Sequence, residues 1–204
     1  MNFGLKTMLA GLISVIAITP SVAAPKSKNV TFEMVRNPKL PSTCIPKASA
    51  TVTIVPGGPV ETMTVTLSGL PPNTDFDFFV IQVPNGPFGM SWYQGDIETN
   101  RRGQGHQNFI GRFSEETFVV APGVANAPID NDADQTDFPN AINNPKTNPI
   151  QMYHLGLWFN NPSDAVKAGC PGTKTPFNGT HNAGVQALNT SNFPDDSGPL
   201  LEVK

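Results

Sequence analysis

Charge is scarce in this chain of 204 residues: Asp, Glu, Lys and Arg together make up 14%, well below the usual quarter. The formal net charge is −3, and no basic stripe stands out. A surface that neutralises nucleic-acid phosphates is thereby excluded. Aromatic residues are also few, at 8%, and cysteine occurs only twice. After the first twenty residues no apolar run approaches the ~20 needed to span a bilayer. Two cysteines do not make a disulfide-rich miniature scaffold, so a hydrophobic core must carry the fold.

What the chain has instead is 18 glycines and 21 prolines, with abundant Asn. Such a composition makes turns and polar loops and is poor in the residues that build long helices. The N-terminus is patterned in three parts: Lys6, an apolar run from Met8 to Ile18, then Pro20 before Ser21, Val22, Ala23 and Ala24. This is the pattern of a secretory signal peptide, and the small residues at Ser21 and Ala23 place cleavage after Ala23. Its apolar run is too short for a membrane anchor, so no membrane span is expected after cleavage. No cysteine at the cleavage point offers a site for lipid attachment. Losing Lys6 takes the mature chain from −3 to −4. The expected location is secreted or periplasmic, where Cys44 and Cys170 are expected to pair as a disulfide.

Past the leader, residues 24–50 are basic and carry Pro38, Pro41 and Pro46, which reads as an extended lead-in. A single domain is expected over 51–204. In Thr62–Leu67, Met63, Val65 and Leu67 alternate with three threonines, the period of a half-buried strand. Asp75–Val83 is apolar on both faces, as a covered inner strand should be. Further strands are read at Thr51–Val55, Ser91–Thr99, Gly105–Phe113, Glu116–Ala121, Gln151–Phe159 and Gly184–Asn189, with 100–104 as a hairpin connection. Asn161-Pro162-Ser163-Asp164 opens one short helix that ends at Gly169. About eight strands, one short helix and long loops indicate an all-β sandwich or small barrel. Residues 122–149 form a long acidic loop with five prolines and no periodicity.

The stretch from Leu70 through Pro71, Pro72, Asn73, Thr74, Asp75 and Phe76 to Val80 resembles the corner of fibronectin type III and other immunoglobulin-like sandwiches. The resemblance covers about twenty residues of the 204, places Phe76 where those domains carry a tyrosine, and implies a β-sandwich without implying an activity. Ser91 to Phe113 also resembles hairpins of bacterial secreted proteins that carry no assigned role.

Several constellations could carry chemistry. Asp130, Asp132, Asp134 and Asp137 alternate as a calcium site requires, although Gln135 and Ala141 replace the glycine and glutamate of an EF-hand. His106, His154 and His181 with Cys170 lack the spacing and the methionine of a blue-copper site. No Gly-x-Ser-x-Gly elbow is present, and Asp96 and Glu98 share a strand face as a glycosidase pair could. Phe88, Trp92 and Tyr93 adjoin the turn at Pro84-Asn85-Gly86-Pro87, where rings could stack on a carbohydrate or grip a protein partner. The expected function is an exported, non-catalytic module for binding or scaffolding. The alternative is a secreted hydrolase assembled from distant residues such as His154 and Asp96, or a calcium-binding protein using the acidic loop.

Overall fold

The computed structural model describes residues 28–57, 60–89, 91–113, 118–119, 150–178 and 181–203. Among the described residues the fold is all-β with one short α-helix. Its strands are β1 (Val30–Arg36), β2 (Ser49–Pro56), β3 (Glu61–Ser68), β4 (Asp75–Ile81), β5 (Ser91–Glu98), β6 (Gly105–Gly111), β7 (Phe118–Val119), β8 (Ile150–Gln151), β9 (His154–Phe159), β10 (Thr175–Asn178), β11 (His181–Ala183) and β12 (Gln186–Asn189). The helix α1 (Pro162–Lys167) lies between β9 and β10.

Eight strands form one continuous antiparallel sheet in the order β5-β4-β9-β12-β1-β2-β3-β6. Its two ends approach each other: an isolated antiparallel bridge joins Thr99 to Gly105, just beyond β5 and at the start of β6. The Phe78 ring from β4 stacks on Phe109 from β6, with centroids 5.3 Å apart. The sheet is therefore curled nearly into a barrel, and its concave face is the core.

Period-two alternation accounts for that face. In β2, Ala50, Val52 and Ile54 are buried, and in β3 Met63, Val65 and Leu67 are buried. The threonines between them face out and pair across strands, Thr31 with Thr53 and Thr51 with Glu33, so the outer surface of β1, β2 and β3 is a solvated polar ladder. Apolar residues on both faces of β4 reflect cover on both sides: Phe76, Phe78 and Val80 enter the main core, while Ile81 and Phe79 join a second cluster with Trp158, Ala183 and Phe88 on the convex side.

Three features differ from the sequence reading. Val30–Arg36, within the expected lead-in, is a strand paired between β12 and β2. Its short alternation, with Phe32 and Met34 buried, is what earns it a place in the sheet. The expected strand Gln151–Phe159 divides, so that β8 pairs with β7 in a separate two-stranded sheet while β9 is buried along its whole length. The third is the hairpin β10–β11, which polar and proline residues had hidden.

The Leu70–Thr74 corner keeps a polar tie although Phe76 carries no hydroxyl. The Thr99 hydroxyl donates to the Pro71 carbonyl (2.6 Å) and accepts from the Thr74 amide (2.9 Å). Phe76 packs instead against Phe159 at 4.9 Å. The helix begins as expected, with Asn161 Oδ1 accepting from the amides of Ser163 and Asp164 and Pro162 in the first turn, and Gly169 follows it with φ of 72°. The Cys44–Cys170 disulfide is formed, tying the β1–β2 connection to the segment after α1. Among the described residues no helix is long and apolar enough to cross a membrane.

Candidate functional site

The convex side of β5, β4 and β9 carries the second apolar cluster, and the hairpin β10–β11 lies against it through Ala183. Between hairpin and sheet is a cleft of about 270 Å³ lined by Phe79, Phe88, Ser91, Tyr93, Trp158, Thr175, Pro176 and Ala183.

A β-bulge builds its rim. Asp77 pairs with Asp96 and Phe78 with Gly95, but Phe79 pairs with Tyr93, so one extra residue is accommodated in β5. Residues three apart on a regular strand face opposite ways. The bulge brings Tyr93 and Asp96 to the same face, and the Tyr93 hydroxyl donates to Asp96 at 2.6 Å. Gly95 is at the bulge with φ of 149°, and a Cβ there would stand 2.9 Å from the Phe109 ring.

The cleft walls are rings set at steep angles to one another. Phe88 meets Trp158 at 82° with centroids 4.9 Å apart, Trp158 meets Phe79 at 75° and 5.2 Å, and Phe79 meets Tyr93 at 58° and 5.5 Å. Trp158 needs Gly156 beside it, because a Cβ on that residue would lie 2.3 Å from the indole ring. Phe88 is held through its turn: Gln186 Nε2 and Asn189 Nδ2 both donate to the Pro84 carbonyl, at 3.2 and 3.1 Å, and the Val83 amide donates to Phe88 O at 3.1 Å. The indole N–H of Trp158, only 3% exposed, has no hydrogen-bond partner among the described residues.

Beside the walls stands a block of carboxylates. Asp75 faces Glu98 and Asp77 faces Asp96 across β4 and β5, an arrangement of like charges that ordinarily destabilises a sheet. Asp75 is relieved by Asn160, whose amide donates to it at 2.7 Å. Asp77 is 1% exposed, and Nε2 of His181 from β11 lies 3.8 Å from its Oδ2. Burial first, then the neighbouring Asp96 charge, pushes the Asp77 carboxyl up to about 6, against the opposing pull of His181. Burial of the Tyr93 hydroxyl, followed by its bond to Asp96, raises the phenol and keeps it a donor.

No family model and no curated protein matches the chain.

The residues expected from sequence to act are divided by the structure. Phe88 and Tyr93 line the cleft. Trp92 does not: it is 59% exposed and pairs across the strand with Val80. Asp96 is at the site, but its partner is Asp77, while Glu98 is exposed opposite Asp75. His154 is fully buried, with Nδ1 2.8 Å from the Thr190 hydroxyl and Nε2 3.0 Å from the Pro194 carbonyl. A carbonyl only accepts, so Nε2 carries the proton, and burial lowers the pKa of the ring. His154 also lies four residues along β9 from Trp158, which is paired with Asp77, a separation of roughly 13 Å. It is a packed structural histidine and does not join Asp96. His106 is exposed on β6 beside Thr66. Cys170 is held in the disulfide, so the histidine and cysteine metal centre does not form. Asp130, Asp132, Asp134 and Asp137 lie outside the described residues, and no group of metal-ligating side chains occurs among those described.

Asp77, Phe79 and Trp158 are the site residues the sequence reading missed, and His181, weighed there only as a copper ligand, stands beside Asp77 instead. Asp77 was the one charged residue within an otherwise apolar strand, Asp75 being at its end, and a carboxylate inside a strand buried on both faces is the signal that could have marked the place.

Asp77 also sets a pH dependence. Its folded value of about 6 lies above the ordinary 3.8, so between those values the folded chain holds a proton that the unfolded chain has lost. Stability contributed by this group therefore falls as pH rises through that window, and the burial cost is fully present above it. Asp77→Asn is expected to raise stability on the order of 1–2 kcal/mol at pH 8. The gain should shrink through pH 6 and vanish near pH 4 in urea melts. An equal gain at pH 4 and pH 8 would contradict ionisation as the cause.

Proposed function

We propose that this chain is an exported binding module that holds a small ligand in the cleft between β4, β5, β9 and the β10–β11 hairpin. The observation that carries this reading is a ready-made concave site: four aromatic rings converge on a cleft beside the buried Asp77 and the exposed Asp96, with Phe88 held through its hydrogen-bonded turn and Tyr93 through its bond to Asp96. The signal-like leader supports secretion or delivery to a periplasm, and the Cys44–Cys170 disulfide suits an oxidising compartment. The nearly closed sheet acts as a rigid support, and we read its two broad walls as packing face to face in the manner of an immunoglobulin-like sandwich.

A second reading, secreted acid–base hydrolysis, is favoured by the meeting of Asp77, Asp96 and His181. A carboxyl held above its ordinary range beside a second carboxyl and a histidine is the kind of group such chemistry uses. Asp77 is sealed beneath the hairpin, however, and the open part of the cleft is walled by rings. Binding is the better account.

The test is a thermal-shift screen of the mature chain against neutral sugars, amino acids and quaternary ammonium compounds. At least one class is expected to raise the melting temperature, as a ligand at 100 times its dissociation constant adds about 2.7 kcal/mol. Ala183→Trp, which fills the cleft, should abolish that rise. If no class gives a rise that Ala183→Trp removes, the binding reading falls.

A further inference from the structure

The cleft's walls and the charge beside it point to the same kind of occupant. Electron-rich ring faces attract cations, and rings set nearly perpendicular to one another can surround a compact cationic group on several sides. Phe88, Trp158, Phe79 and Tyr93 form such a series of walls, with successive interplanar angles of 82°, 75° and 58°. A flat sugar ring is better served by one open aromatic face, and the most open ring here, Trp92, is outside the cleft.

The electrostatics agree. Tyr93 is bonded to Asp96, Trp158 is paired across the strand with Asp77, and Asp77 is two residues from Phe79, about 7 Å along β4. Apart from His181, no cation forms an ion pair with Asp75, Asp77, Asp96 or Glu98 among the described residues. Among the described residues the carboxylate block thus has little positive charge beside it. A bound cation would relieve the cross-strand repulsion that β4 and β5 otherwise carry.

We propose that the cleft binds an alkylated ammonium group, its methyls against Phe79, Phe88, Tyr93 and Trp158 and its charge balanced by Asp77 and Asp96; this rests on the binding reading above. The ring faces supply contact area and cation–π attraction, and the carboxyls supply the counter-charge. Both features act on charge, so each favours an ammonium group over an uncharged group of the same shape.

Choline and its uncharged carbon isostere, 3,3-dimethylbutan-1-ol, separate charge from shape. In the Trp92→Phe chain, Trp158 is the remaining tryptophan, and its fluorescence reports the cleft while calorimetry gives affinity. Choline is expected to bind about tenfold tighter or more than the isostere. Asp96→Asn, at an exposed position that leaves the core intact, should reduce choline affinity severalfold and leave the isostere unchanged, and Tyr93→Ala should weaken choline about tenfold. Equal binding of choline and isostere, or choline binding indifferent to Asp96→Asn, overturns the ammonium assignment while the binding reading stands. The same holds if a sugar or amino acid occupies the cleft and choline does not. If no compound in the screen binds in a way that Ala183→Trp abolishes, both fall.

Discussion

Replacing Cys44 and Cys170 together by alanine is expected to lower stability by roughly 4–5 kcal/mol. The two residues are 126 positions apart, so the cross-link removes most of the freedom of the unfolded chain. On the chain-entropy account the cost of its loss grows with the logarithm of loop length. For a domain of this size the melting temperature should fall by roughly 10–20 °C. Both sulfurs are buried, so the double alanine variant leaves a small void and no free thiol. The loss should also be uneven. Cys170 immediately follows α1 and precedes the β10–β11 hairpin, so amide exchange in β11 should accelerate more than in β2 or β3. A loss under about 1 kcal/mol would mean that the ends of the loop are held together in the unfolded chain by something other than the bond.

Phe78→Ala is expected to cost roughly 3–5 kcal/mol in chemical denaturation. Phe78 is fully buried, and its ring stacks on Phe109 with planes within 9°. The pair joins β4 to β6, strands far apart in the hydrogen-bond order of the sheet but adjacent across its interior. Truncation removes transfer free energy and leaves a cavity between two walls that the Thr99–Gly105 bridge prevents from collapsing freely. Phe76→Ala, which breaks the contact with Phe159 on the neighbouring β9, gives the comparison. If closure of the sheet matters, loss of Phe78 should also accelerate exchange at the Thr99–Gly105 bridge, and loss of Phe76 should not. Equal exchange in the two variants would remove the case for Phe78 as the contact that holds the ends together.

The site was only half legible before the fold was known. Phe88 and Tyr93 were marked by lying beside a proline and glycine turn, and they line the cleft. Trp92 was marked for the same reason and points elsewhere, since adjacent residues of a strand face opposite ways. Asp96 and Glu98 do share a strand face, as alternation expects, opposite Asp77 and Asp75. The bulge between Tyr93 and Gly95 adds Tyr93 to that face, and this alternation alone does not show. His154 looked as available as His181, yet one is enclosed by Thr190 and Pro194 and the other reaches a carboxylate.

By itself the sequence determined the all-β class, the strands β2, β3 and β4 with their buried faces, the capped helix after Asn161 and the pairing of two cysteines. Each follows from local rules: alternation sorts faces, caps satisfy helix ends, and the two cysteines of the chain have only each other to pair with inside it. The tertiary structure decided what depends on register and closure. It placed β1 inside the sheet, joined β5 to β6 through Thr99 and Gly105, and brought Asp77, Tyr93, Asp96, Trp158 and His181 together from four strands. The physical reason is that one bulged residue or one strand of displacement changes which side chains meet, while leaving the local pattern of every strand the same.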